Sequence, residues 1–182
     1  LDAAGHPTSF YGKTEPAVHV EVVDADLNTN PGTADTASVT LTSTTESAGG
    51  VTEPLLLTET GPATGIFHGT LPLGLDAAAA ADGVLAAAVG DSLTLTYLDA
   101  ADDWGNPGTV TQTAQVVGTV VPGGSLAAST TWALAGAPYL LTGDLQINAG
   151  LTLTVEPGVT VLFTPGSDDQ AGGSWSNRSE LR

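Results

Sequence analysis

Short stretches of strict apolar–polar alternation, cut apart by Gly and Pro, are the feature that most limits what this chain can fold into. They occur at Val18-His19-Val20-Glu21-Val22, Val39-Thr40-Leu41-Thr42 and Leu93-Thr94-Leu95-Thr96-Tyr97. A period of two places every apolar side chain on one face, the pattern of a half-buried strand. Further strands are expected at 55–58, 66–71 and 110–117. Six or seven strands within roughly 110 residues predict an all-β fold, an antiparallel β-sandwich over 15–118. The 23 Gly and 11 Pro supply the turns between them. Aromatics are only 5% of the chain, so the core falls to Val, Leu, Ile and Ala. The Ala-rich stretch 77–81 suits one helical turn; Asp82-Gly83 then turns the chain back, and Gly90-Asp91 introduces the Leu93 strand.

The pattern changes after Val121-Pro122-Gly123-Gly124. From Trp132 the apolar segments shorten to Tyr139-Leu140-Leu141, Leu145-Gln146-Ile147, 151–155 and 159–163, with corners at Thr142-Gly143, Asn148-Ala149-Gly150 and Pro157-Gly158. Such strands and corners suit one coil of a parallel β-helix better than a hairpin sandwich. Residues 119–182 are therefore expected to form a short β-helix-like, β-rich element. Its polar tail 165–182 is a loop or the lead into further coils, because a β-helix that stops after one coil leaves an open edge. At the other end, Leu1-Asp2-Ala3-Ala4 recurs 97 positions later as Leu98-Asp99-Ala100-Ala101. Residues 1–14 thus read as the tail of a preceding module of a tandem repeat, or as an N-terminal linking strand.

Charge removes whole classes of partner. Twenty Asp and Glu against three Lys and Arg give a net charge of −17. Phosphate neutralisation needs cationic side chains, so nucleic acid is excluded, and so is docking on anionic lipid. A surface that collects divalent cations and a protein adapted to high salt both remain open. With no cysteine there is neither a disulfide framework nor a thiolate metal site. No apolar run reaches the ~18 residues needed to cross a bilayer, so membrane insertion is not expected. Leu1 begins in mid-pattern, with no basic start or apolar stretch behind it, as in an excerpt or a processed product.

The strongest candidate for chemistry is Asp24-x-Asp26-x-Asn28-x-Asn30, with Asp35 eleven positions after Asp24. Oxygen ligands at alternate loop positions can converge on Ca²⁺, and Asp35 stands where an EF-hand loop places its closing carboxylate. The sequence departs from that loop at Thr29, where Gly is wanted, at Asp35, which is shorter than Glu, and in its strand-like flanks. The alternative is an Asx-rich turn whose side chains bond their own backbone. A second, weaker metal candidate is Asp99, Asp102, Asp103 and Asn106, in a Gly/Pro loop. No catalytic set is visible: His6, His19 and His68 sit in unrelated settings, and no Ser lies in a strand–turn–helix elbow. Gly61, Gly65 and Gly69 are followed by no Lys and no helix, so they serve to arch the chain and do not form a phosphate loop. Asn177-Arg178-Ser179 matches a glycosylation sequon. Trp132 is expected to cap a β-helix core, and an exposed Trp104 could stack on carbohydrate.

Three stretches together resemble the Ig-like modules of large repetitive bacterial surface proteins: Val22-Val23-Asp24-Ala25-Asp26-Leu27-Asn28-Thr29-Asn30-Pro31, Leu57-Thr58-Glu59-Thr60-Gly61-Pro62-Ala63-Thr64-Gly65-Ile66-Phe67-His68-Gly69-Thr70-Leu71, and Gly90-Asp91-Ser92-Leu93-Thr94-Leu95-Thr96-Tyr97-Leu98-Asp99. Pro138-Tyr139-Leu140-Leu141-Thr142-Gly143-Asp144, followed by Leu151-Thr152-Leu153-Thr154-Val155-Glu156-Pro157-Gly158-Val159, is similar to the opening coil of right-handed parallel β-helix domains in secreted bacterial proteins. The resemblance implies an extracellular or cell-surface filament, adhesin or coat protein but no single biochemical activity, and the missing catalytic set adds the expectation that the chain is not an enzyme. Its partners would be other copies of the same protein and surface carbohydrate. The rival it leaves open is an accessory carbohydrate-binding module of a secreted β-helix polysaccharide-degrading enzyme.

Overall fold

A computed structural model describes residues 1–74, 81–101, 104–164 and 179–182. Strand accounts for 46% of residues and helix for 5%, so the chain is all-β, as the alternation predicts. It divides into two compact units, Leu1–Val116 and Val117–Arg182.

The first unit contains β1 (Phe10–Gly12), β2 (Ala17–Val23), β3 (Thr36–Ser43), α1 (Thr44–Ala48), β4 (Glu53–Glu59), β5 (Ile66–Gly74), β6 (Leu85–Ala86), β7 (Ser92–Asp99) and β8 (Gly108–Val117), whose last residue opens the second unit. All six expected strands are present. They belong to one mixed sheet in the order β1-β8-β7-β3-β4-β5-β2, with β6 on β5, nearly closed into a barrel or sandwich. Pairs from β2–β5 through β7–β8 are antiparallel, and β6 joins β5 in parallel. The curl follows from the pleat. Val18, Val20 and Val22 at one end of the path meet Leu93, Tyr97 and Val116 near the other, around Leu41, Leu57 and Phe67.

Two glycines have position-specific reasons. Gly65 holds φ +63 in the turn into β5, which fits the expected arch, and a Cβ there would press on the Asp24 and Ala25 backbone. Gly69 does something else: within β5 it leaves the space that Leu57 and Leu55 fill. Residues 1–14, expected as a tail or linking strand, add β1 beside β8 and send Tyr11 into the core, its hydroxyl donating to the Leu1 carbonyl at 2.7 Å. The short helix α1 was not foreseen, and residues 77–80 of the expected helical turn lie outside the described residues.

The second unit winds. Its strands are β9 (Thr119–Val121), β10 (Gly124–Ser125), β11 (Thr130–Trp132), β12 (Tyr139–Leu141), β13 (Leu145–Gln146), β14 (Leu153–Val155) and β15 (Val161–Phe163). Every pairing is parallel: β9-β12-β15 on one face, β10-β13 on a second and β11-β14 on a third. Thr119 lies beside Tyr139, Gly124 beside Leu145 and Thr130 beside Leu153, steps of 20, 21 and 23 residues. This is the short β-helix-like element that the sequence predicts. Its winding starts at Thr119, ahead of Trp132 where the sequence pattern first shows, so Pro122-Gly123 makes its first corner. A third turn begins with β15, and Leu181 bridges to Leu145. Trp132 does not merely cap this core. It is 4% exposed and stacks on Tyr139, with centroids 4.8 Å apart and planes 13° apart.

Candidate functional site

The loop between β2 and β3 carries the first candidate set. Asp24 follows directly on β2, where Tyr97 from β7 donates its hydroxyl to Asp24 Oδ2. Burial, and then this bond to a carboxylate, push the Tyr97 phenol well above its ordinary range. Asp24 Oδ1 accepts from the backbone N–H of Asp26 at 2.9 Å and of Leu27 at 3.4 Å. Asp35 Oδ2 closes the loop by accepting from the N–H of Thr29 at 2.7 Å and of Asn30 at 2.9 Å. Asn30 Oδ1 accepts from the Gly32 N–H at 3.1 Å, whereas Asn28 Oδ1 is buried without a partner. Asp24, Asn30 and Asp35 therefore bond the loop's own backbone, the arrangement of an Asx-rich turn.

The set is also divided in space. Asp24 and Asp26 line a cleft with Glu21, Tyr97, Asp99 and Gln112, so Asp99 of the second cluster joins two residues of the first. Asn28, Asn30 and Asp35 do not line it. Asp99 Oδ1 accepts from the Ala101 N–H at 2.9 Å. Asp102 and Asp103 lie outside the described residues, and Asn106 is exposed. Among the described residues, no group of three or more His, Asp or Glu stands close enough to hold a metal ion.

A residue that the sequence reading passed over anchors the loop from below. Glu59, at the end of β4 and almost fully buried, accepts from Thr64 N at 2.6 Å and Gly65 N at 2.7 Å through Oε1, and from Asp35 N at 3.1 Å through Oε2. The N–H donors, Asp35 first, hold its carboxyl below the usual range. One inward-facing carboxylate thus ties the β2–β3 loop to the turn before β5. The phase of β4 carried the signal: Glu53, Leu55, Leu57 and Glu59 share one face.

Of the three histidines, His6 Nδ1 lies 3.4 Å from Asp2 Oδ2 in the N-terminal segment. His68 Nε2 meets Glu21 Oε2 at 2.7 Å across the β2–β5 pair, and His19 Nδ1 lies 3.2 Å from Thr70 Oγ1. Both are cross-strand contacts on the solvent face. Trp104 is 83% exposed, and Trp175, Asn177 and Arg178 lie outside the described residues. No protein-family model matches the chain, and no curated protein matches it. No helix among the described residues is long and apolar enough to cross a membrane.

Proposed function

We propose that this chain is a structural module of an extracellular filament, adhesin or surface coat, joined to copies of itself and without enzymatic activity. The observation that carries the reading is the edge of the second unit. Among the described residues, β14 pairs on one side only, with β11, and β15 on one side only, with β12. Unpaired rows of N–H and C=O are templates for another strand. At the other end β1 pairs with β8 and the Leu1 ammonium donates to the His19 carbonyl at 2.7 Å, so end-to-end contact is assigned to these solenoid edges. A net charge of −17 repels copies at low ionic strength, and salt or divalent ions offset that repulsion. Calcium stabilisation, which the sequence places at Asp24, Asp26, Asn28, Asn30 and Asp35, is tested by melting: a melting temperature that falls in excess chelator, and no longer does so in Asp26→Ala, supports it, and an unchanged curve leaves the Asx-rich turn.

Sedimentation velocity across a series of NaCl and CaCl₂ concentrations tests the reading. Species larger than the monomer should accumulate as either rises. A single monomeric species throughout would leave a passive spacer. The exposed Trp104 favours one second reading, a carbohydrate-binding accessory module. Quenching of Trp104 fluorescence by soluble polysaccharide, lost in Trp104→Ala, would support it.

A further inference from the structure

The outer face of β3, β4, β7 and β8 carries no charge, on a chain whose net charge is −17. The pairing registers set its threonines in ranks across the strands. Thr42, Thr94 and Thr113 form one rank, and Thr40, Thr96 and Thr111 the next. Beside them Ser38 pairs with Leu56, and Leu98 with Thr109. Leu56 and Leu98 are 65% and 71% exposed. The outward positions of 36–42, 54–58, 92–98 and 109–115 hold Thr, Ser, Pro, Leu and Gln, and no Asp, Glu, Lys, Arg or His.

Strand β4 reverses the ordinary polarity of a half-wet strand, which keeps its charges in water. It turns Glu53 and Glu59 inward with Leu55 and Leu57, and leaves Pro54 and Leu56 facing out. Backbone N–H groups receive both acids, that of Gly83 on Glu53 and those of Asp35, Thr64 and Gly65 on Glu59. Burying a carboxylate is unfavourable, and an exposed leucine forgoes the gain of burial. Both run against the stability of a lone copy, and both leave the outer face neutral.

The distribution of charge says what fits this face. An anionic partner is repelled by the chain as a whole, and a cationic one finds no carboxylate on these strands. Two copies meeting through acidic loops such as 24–35 set carboxylate against carboxylate, within the ~10 Å screening length of 0.1 M salt. Two copies meeting through this face do not. A threonine hydroxyl both donates and accepts and its methyl packs, so one such array satisfies an identical array turned over on it. We propose that the outer face of β3, β4, β7 and β8 docks on the same face of a second copy, as a two-fold, sheet-on-sheet joint. It lies on the first unit and uses no strand edge, so it stands or falls apart from the edges of the second unit. Four strands ~4.8 Å apart, paired over ~7 residues at ~3.4 Å each, give a footprint of about 450 Å² per copy. A pair burying about 900 Å² is at the low end of specific interfaces, so the dimer should be weak and concentration-dependent.

To separate the two joints, Val155→Lys and Phe163→Lys are combined to blunt the exposed edges β14 and β15. Sedimentation velocity of this edge variant over a concentration series, at raised NaCl, should show a monomer–dimer equilibrium. Adding Thr96→Glu puts a carboxylate at the centre of both opposed faces and should weaken the dimer tenfold or more, whereas Thr96→Ser should leave it unchanged. Thr111→Glu, on the exposed part of β8, repeats the test if circular dichroism shows Thr96→Glu misfolded, and the edge variant's series decides alone if neither folds. A dimer indifferent to both Glu variants overturns the face. An edge variant that is monomeric at every concentration, where the wild type associates, also overturns it and leaves the solenoid edges as the joint. Wild-type association that survives in the edge variant and is lost in Thr96→Glu supports the face and removes the edges instead. An edge variant that stays monomeric yet cosediments with insoluble cellulose, and no longer does so with Thr96→Glu, would assign the face to carbohydrate and overturn the second copy as its occupant.

Discussion

Replacing Tyr97 by Phe removes one atom, the hydroxyl that joins β7 to Asp24 at the exit of β2. A hydrogen bond to a charged group contributes about 1.5–3 kcal/mol. Asp24 is only half-buried, so water can reach the carboxylate that Phe leaves behind, which places the loss near 1.5 kcal/mol. With a urea m-value of ~1–3 kcal/mol/M, the midpoint should fall by about 0.5–1.5 M with m unchanged. Far-UV circular dichroism reads this directly. A second signature comes from pH. The folded phenol sits above its ordinary 10.0, so its contribution is full below that value and is lost as pH rises through the folded one. The wild type should therefore lose stability as pH climbs past ~10, and Tyr97→Phe should lose less over the same range. An unchanged urea midpoint, together with identical alkaline profiles, would refute the wiring of β7 to this loop.

Gly69→Ala places a methyl against Leu57 and Leu55 and should cost about 1–3 kcal/mol by overpacking, measured as a drop in urea midpoint. Glu59, whose folded carboxyl lies below its ordinary 4.5, contributes stability above that pH and loses it as pH falls through the folded value; Glu59→Gln should flatten this acid limb of a melting-temperature profile. Trp132→Ala should remove about 3–5 kcal/mol from the second unit and abolish the near-ultraviolet dichroism of the Trp132–Tyr139 stack.

The large strands were legible because alternation is a direct image of a one-sided sheet. Val18, Val20 and Val22 point inward in sequence and in structure alike. Where a strand is too short to show a period, that image fails. Phe10–Gly12 and Leu85–Ala86 gave no signal, and the winding could be read only from Trp132 although it begins at Thr119. The Asp24–Asp35 spacing was legible as a loop of oxygen ligands, but spacing does not tell whether oxygens converge on an ion or turn back to the backbone. Asp35 turns back, to Thr29 and Asn30. The buried acids carry their own sequence traces. Glu53 and Glu59 keep the phase of Leu55 and Leu57, and Ser43-x-x-Glu46 marks the start of α1.

The central claim, a module that joins its own copies through strand edges, is tested most directly by electron microscopy of the protein taken from its native source at native ionic strength. The account predicts particles linked end to end into filaments or a layer, which separate into single particles when salt and divalent ions are removed. Isolated particles of one size under both conditions would contradict it.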